Sequence, residues 1–178
     1  MKPIIKTDRL IIRELQSSDA QGIFLMDSNP AVHEFLGKSP ITTLEEAQNA
    51  ILFIRKQYET NGIGRWAMLL KDTNEFIGWT GLKLINTETV NGHQNFYELG
   101  YRLNQDHWRK GYGFEAAKAC LDYAFSEMQL DKVYAYAESG NIGSQTILQK
   151  LQPVHTESFP YDGVDHIWFE FQNNKIGS

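Results

Sequence analysis

Midway through the chain the spacing of apolar residues changes, and two glycines stand at the change. Residues 95–103 (NFYELGYRL) alternate Tyr97, Leu99, Tyr101 and Leu103 with Glu98 and Arg102, the period of a strand. From Gly111 onward, Phe114, Ala117, Leu121, Ala124, Phe125 and Met128 recur at steps of three and four, the stripe of an amphipathic helix over 111–128. The junction reads Trp108-Arg109-Lys110-Gly111-Tyr112-Gly113-Phe114-Glu115-Ala116. Glycine lets a backbone approach a ligand closely and take conformations that other residues resist. The first amides of the helix have no intrahelical acceptors, and the helix dipole adds partial positive charge. A strand, a glycine loop and a helix in this order form a seat for a phosphate or pyrophosphate, to which Arg109 and Lys110 can add cationic donors. A glycine turn that only starts a helix is the alternative reading of the same residues.

The remaining segments restrict the fold around that loop. Residues 9–15 (RLIIREL) read as a first strand, Ser17-Ser18-Asp19 as a helix N-cap, and Pro30 as the end of the helix that follows. Thr43 and Glu46 form a capping box, followed by Leu44, Ala47, Ile51 and Ile54 at helical spacing. Strands at 65–71 and 76–85 are joined by a polar turn, and Asn91-Gly92 signals a hairpin because both residues tolerate positive φ. Three strands in succession make an antiparallel meander. Beyond the central helix come a strand at 132–137, a helix capped by Asn141 running to about Leu151, and strands at 154–159 and 166–171 around Asp162-Gly163. The pattern predicts an α+β domain around one mixed sheet.

The length of 178 residues suits one domain, 1–178. With 17 Lys and Arg against 22 Asp and Glu, the net charge of −5 argues against nucleic-acid binding, which needs a basic face. No apolar run reaches the length of a membrane span, and residues 1–13 lack the apolar core of a signal peptide, so no membrane partner is expected. Cys120 is the only cysteine, which fits a reducing cytoplasm, and mid-helix beside Leu121 it reads as a buried thiol and not a nucleophile. The five histidines lack ligand spacing, so no metal is expected.

The loop GYGFEA also satisfies the dinucleotide pattern G-x-G-x-x-A, with Glu138 standing where a ribose-binding acid would. Three observations disfavour that reading. Residues 104–110 separate the strand from the first glycine, the strand alternates where a central parallel strand is apolar throughout, and about 65 residues are too few for a second half-sheet.

The ordered set of segments resembles the GNAT N-acetyltransferases, and within them the branch containing the ribosomal-protein-alanine N-acetyltransferases. The likeness begins at Thr7-Asp8-Arg9-Leu10-Ile11-Ile12-Arg13. It continues through Phe76-Ile77-Gly78, Glu98-Leu99-Gly100-Tyr101, the glycine loop and Asn141-Ile142-Gly143-Ser144, and ends near Trp168-Phe169. The family loop commonly reads Q/R-x-x-G-x-G/A; Trp108 holds the first position here, and Arg109 follows where the branch usually has glycine.

The resemblance implies the GNAT (acyl-CoA N-acyltransferase) fold: a mixed, mostly antiparallel sheet of about seven strands, flanked by helices, with a V-shaped split between the fourth and fifth. Acetyl-CoA is the implied co-substrate. Its pyrophosphate would lie on the amides of Arg109, Lys110, Gly111, Tyr112, Gly113 and Phe114, its pantetheine in the split, and its thioester near Leu99, Gly100 and Tyr101. Asn141 would cap its helix and touch the CoA chain. Glu98 is the candidate base, with a solvent-facing strand acid or ion-pair partner as the alternative. Ser144 is the candidate donor to the departing thiolate, and Glu138 a weaker candidate for recognising the amine. The implied reaction is direct attack of a primary amine, from a protein N-terminus or a small molecule, on acetyl-CoA in a ternary complex. A non-catalytic acyl-CoA-binding module is the alternative function, and the active unit is a monomer or homodimer.

Overall fold

The computed structural model describes residues 5–173. Eight strands make one sheet: β1 (Ile5–Lys6), β2 (Leu10–Glu14), β3 (Arg65–Leu70), β4 (Phe76–Ile85), β5 (Phe96–Leu103), β6 (Lys132–Glu138), β7 (His155–Tyr161) and β8 (Val164–Gln172). Their order in space is β1-β2-β3-β4-β5-β6-β8-β7. Every neighbouring pair is antiparallel except β5 and β6. The expected count of about seven rises by the two-residue β1, so the parallel junction lies between the fifth and sixth strands instead of the fourth and fifth.

Four helices complete the α+β architecture: α1 (Ala20–Asp27), α2 (Leu44–Asn61), α3 (Tyr112–Ser126) and α4 (Ile142–Lys150). Strand alternation sends side chains to two different cores. On one face Leu10, Ile12, Trp66, Met68, Leu82 and Leu99 pack against Ala116, Ala117, Cys120, Leu121 and Ala124 of α3. Small residues along that side of α3 let the helix lie close to the sheet, and the Trp66 ring meets Tyr123 edge-on with centroids 5.2 Å apart. On the other face Ala67 and Leu69 pack against Ile23 and Met26 of α1 and Ala47 and Ile51 of α2. Phe96, Tyr134, Phe159 and Trp168 form a third cluster beneath the 86–95 segment.

Local chemistry sets the element ends. Thr43 and Glu46 make the reciprocal capping box at α2, which ends at Gly62 with φ 71°. Asn91 and Gly92 both take positive φ, 48° and 75°, and close a hairpin held by the Val90–His93 bridge. Asp19, within the expected 17–19, is the N-cap residue of α1, which starts at Ala20, but a short 3-10 turn, Ser17–Asp19, precedes the helix and the Asp19 side chain makes no capping bond to it. The carboxylate is engaged elsewhere: it accepts from both terminal nitrogens of Arg13 at 2.8 Å and from the Gln16 amide at 2.7 Å, in the capping box of the 3-10 turn.

Gly78 lies where β4 crosses β5, and a Cβ there would stand 2.1 Å from the Arg102 carbonyl oxygen. Gly78→Ala is expected to destabilise the fold by about 2 kcal/mol or more, as overpacking against backbone does. Urea unfolding is the measurement, and an unchanged midpoint would refute this account of the glycine.

Candidate active site

The sheet is least continuous at its parallel junction. β5 pairs with β4 along the whole run from Phe96 to Leu103, and β6 pairs with β8 from Lys132 to Glu138. Between β5 and β6 a single register pair forms, Glu98 with Tyr134. Beyond it the two strands part, each held by its outer neighbour. Backbone groups of β5 from Leu99 onward thus face a wedge in place of a ladder, and backbone amides and carbonyls seek partners.

The glycine loop stands at one end of this wedge. Gly111 is the N-cap of α3 at φ 83°, and Arg109 also takes a positive φ, 60°. The first α-helical bond runs from the Glu115 amide to the Gly111 carbonyl at 3.1 Å. A glycine cap has no side-chain acceptor, so the amides of the first turn keep their donors. The structure separates the duties of the two glycines. Gly111 supplies the left-handed backbone, whereas Gly113 gives room: a Cβ there would come within 2.9 Å of Ile147 on α4. The Arg109 position is a left-handed site at which a non-glycine residue costs about 1 kcal/mol. The Trp108 indole donates to the Leu103 carbonyl at 2.9 Å and ties the loop back to β5. Arg109 and Lys110 are exposed.

Helix α4 begins across the wedge from β5. The Asn141 side chain accepts from the Ser144 amide at 3.1 Å, as its reading as a cap requires. The Tyr101 hydroxyl donates to the Ser144 carbonyl at 3.0 Å and lies 2.9 Å from the Ser144 hydroxyl. Burial, only partly offset by the bond to Ser144, pushes the Tyr101 phenol above its ordinary range, so it remains a neutral hydroxyl. The pairing of these two hydroxyls is invisible in a sequence where they stand 43 residues apart.

Glu98, Gly100 and Arg102 project from the face opposite α3, as strand parity predicted. Glu98 is buried and ion-paired with Arg65 of β3. The Arg65 guanidinium also donates to the Gly81 carbonyl at 2.7 Å and the Glu98 carbonyl at 2.9 Å. Gly81 and Gly100 are register partners, and a Cβ on Gly100 would lie 2.6 Å from the guanidinium. Arg65 is the residue that sequence reasoning missed. Its signal was an arginine inside the apolar run RWAMLL with two glycines on later strands, but only the register brings the three together. Arg65 and Arg102 both lie over the Trp79 ring, at 5.2 and 5.1 Å, and Arg102 donates to Asp27 at 2.9 Å.

Other candidates take smaller parts. Glu138 ends β6, half-buried, with its carbonyl accepting from the Asn141 amide. Cys120 is buried, with Sγ 3.6 Å from the Thr80 hydroxyl, and burial pushes its thiol up to about 12, which leaves it an inert core residue. Trp66 and Tyr134 are core residues, and Trp79 is half-buried beneath the two arginines.

Comparison with known proteins gives a consistent answer. The acetyltransferase (GNAT) domain family matches residues 9–152. The uncharacterized N-acetyltransferase YoaA of Bacillus subtilis is 30% identical over 171 residues, spanning 91% of this chain and 94% of that protein. The ribosomal-protein-S5-alanine acetyltransferase of Vibrio fischeri superposes with a TM-score of 0.75 at 18% identity, covering 99% of this chain and 100% of that one. The spermidine N-acetyltransferase of Vibrio cholerae, solved with CoA and spermine, superposes at 0.74 with 19% identity, covering 95% and 98%. Among the described residues no helix is long and apolar enough to cross a membrane.

The buried cluster beside Arg102 leads to a pH prediction. Burial, then the neighbouring Arg102, lowers the His33 pKa, with Asp27 opposing; burial likewise lowers that of His107. Below the ordinary histidine value of about 6.5 the unfolded chain therefore binds more protons than the folded one. Stability is expected to be fully present above that pH and to fall as pH drops below it. His33→Gln is expected to flatten part of the slope, read as melting temperature against pH. An identical slope in the variant would overturn the assignment.

Proposed function

The chain belongs to the GNAT acetyltransferase family, and from that membership we propose that it transfers the acetyl group of acetyl-CoA to a primary amine by direct attack in a ternary complex. The observation that carries this reading is the wedge at the one parallel junction, with a side-chain-free helix N-terminus at its end. A chain of amides such as pantetheine is matched in chemistry to an unpaired strand edge, and a diphosphate to bare helix amides. In this reading residues 1–178 act as one catalytic domain.

Each candidate then has a physical task. The amides of residues 109–114 hold the diphosphate, with Arg109 and Lys110 adding charge. Leu99, Gly100 and Tyr101 hold the thioester, and a backbone N–H there meets the charge that develops on the thioester oxygen. Asn141 orders the start of α4 and contacts the CoA chain. Ser144 donates a hydrogen bond to the sulfur as it leaves, its hydroxyl turning from the Tyr101 oxygen beside it. Glu98 receives the proton of the attacking ammonium, directly or through water, and Arg65 fixes its carboxylate. No protein nucleophile is needed, because binding amine and thioester together removes much of the entropic barrier. The relatives' names include a protein alanine and a polyamine as acceptors. In this reading the acceptor is a primary amine, of a protein N-terminus or of a small molecule.

Amine-dependent release of free CoA thiol from acetyl-CoA tests the reaction. Binding of acetyl-CoA without such release across a panel of amines would reduce the protein to a sensor. Replacing Gly113 with Leu is expected to weaken CoA binding at least tenfold, since it drives Ile147 away from the loop. Ser144→Ala is expected to lower kcat about a hundredfold, the lower end of the contribution of a positioned acid, with the CoA Kd changed less than twofold. Glu98→Gln is expected to lower kcat as well. If neither substitution changes kcat, both catalytic assignments fail even though the fold stands.

A further inference from the structure

The segment Thr7-Asp8-Arg9 stands outside the wedge, yet it holds the glycine loop at several points. The Thr7 hydroxyl donates to Glu115 Oε1 at 2.6 Å, and the Arg9 amide donates to the same oxygen at 2.9 Å. Arg9 Nε donates to Glu115 Oε2 at 2.7 Å, and Nη1 donates to the Lys110 carbonyl at 2.8 Å. The guanidinium lies 4.5 Å over the Tyr112 ring, and Nη2 would be 3.2 Å from a Cβ on Gly111. One side chain thus touches the loop at residues 110, 111, 112 and 115.

Stability alone is a weak reason for this arrangement. The Arg9 side chain is 46% exposed, and half-exposed ion pairs contribute little. The charge of Glu115 gives a better one. Glu115 lies in the first turn of α3, where a carboxylate suits the helix dipole. On the donor reading above, the same amides must also receive a diphosphate, and a free carboxylate beside them would repel it within a Debye length of about 10 Å. Thr7 and Arg9 take up both carboxylate oxygens and balance the charge. Burial alone would raise the Glu115 pKa, but the bonds from Thr7 and Arg9 outweigh it and hold the group below its ordinary value.

We propose that Arg9 is a positioning residue for the CoA diphosphate, which neutralises Glu115 and fixes the 110–112 backbone so that the first-turn amides of α3 are left to the anion. This rests on the acetyl-CoA reading of the same loop.

Calorimetric titration of the full chain with CoA tests it, alongside NMR titration with pantetheine, which has no diphosphate. Arg9→Met is expected to raise the CoA Kd at least tenfold and to leave pantetheine binding within twofold. Adding Glu115→Gln to Arg9→Met is expected to tighten CoA binding at least threefold over Arg9→Met without reaching the parent, because the unbalanced charge is gone while the hold on the 110–112 backbone is not restored. Glu115→Gln alone is expected to bind CoA as tightly as the parent or more so, which keeps the test alive if the Arg9 variant does not fold. A CoA Kd for Arg9→Met within twofold of the parent would overturn the proposal. So would an equal loss for pantetheine, a double variant no tighter than Arg9→Met, or a tenfold weakening by Glu115→Gln alone. Failure of the parent to bind CoA at all would sink the donor reading itself, a distinguishable result.

Discussion

A strand that is well paired on one side and nearly unpaired on the other governs this structure. β5 is fastened to β4 over eight register pairs and meets β6 at one. Sheet twist and the pull of the outer neighbours β4 and β8 separate the two inner strands, and main-chain polar groups on the β5 edge are left facing a gap. Such an edge is costly in a folded protein unless water or a partner with matching donors and acceptors occupies it. The rest of the site is arranged around that gap. The N-terminus of α3 stands beside it, the N-terminus of α4 is bonded across it through Tyr101 and Ser144, and the aromatic cluster under residues 86–95 supports β6 from the opposite face.

Ion pairs keep these parts in register. Arg13 with Asp19, Arg65 with Glu98, Arg102 with Asp27, and Arg9 with Glu115 each join a strand, or the residue just before one, to a helix, a turn or, across β4, another strand. Arginine suits the role because a planar guanidinium can serve several acceptors at once. Arg65 does so most fully, binding two carbonyls and a carboxylate in the space that a side chain on Gly100 would fill. Buried pairs of this kind add little net stability, since desolvation offsets attraction, but removing one partner leaves a stranded charge. Their effect is geometric: they hold Glu98 and the β5 backbone on one side of the wedge while Arg9 holds the loop at its end.

The periodic elements were legible in the residues. Strand alternation at 96–103, the stripe along α3, the Thr43–Glu46 box and the Asn91-Gly92 turn all reflect interactions within a few residues, where side-chain spacing and local hydrogen bonds decide the outcome. The glycine loop was legible for the same reason, as was Asn141 as a cap. Less visible were features made by residues far apart in sequence. Gly113 was legible as part of an amide cradle, but not the nearness of Ile147 on α4, which leaves no room for a Cβ there. Ser17–Asp19 read as the start of α1, and Asp19 is its N-cap residue, but the commitment of its side chain to Arg13 and to the Gln16 amide was not legible.

By itself the sequence determined the order and type of the elements, the glycine N-terminus of α3 and the opposing faces of β5, because those depend on local propensity and period. Tertiary structure alone decided that β5 and β6 would touch once and part, that Arg65 would reach Glu98 across 33 residues, and that Tyr101 would meet Ser144. These depend on strand register and on the competition among neighbouring strands for the same backbone groups, which no stretch of residues carries alone.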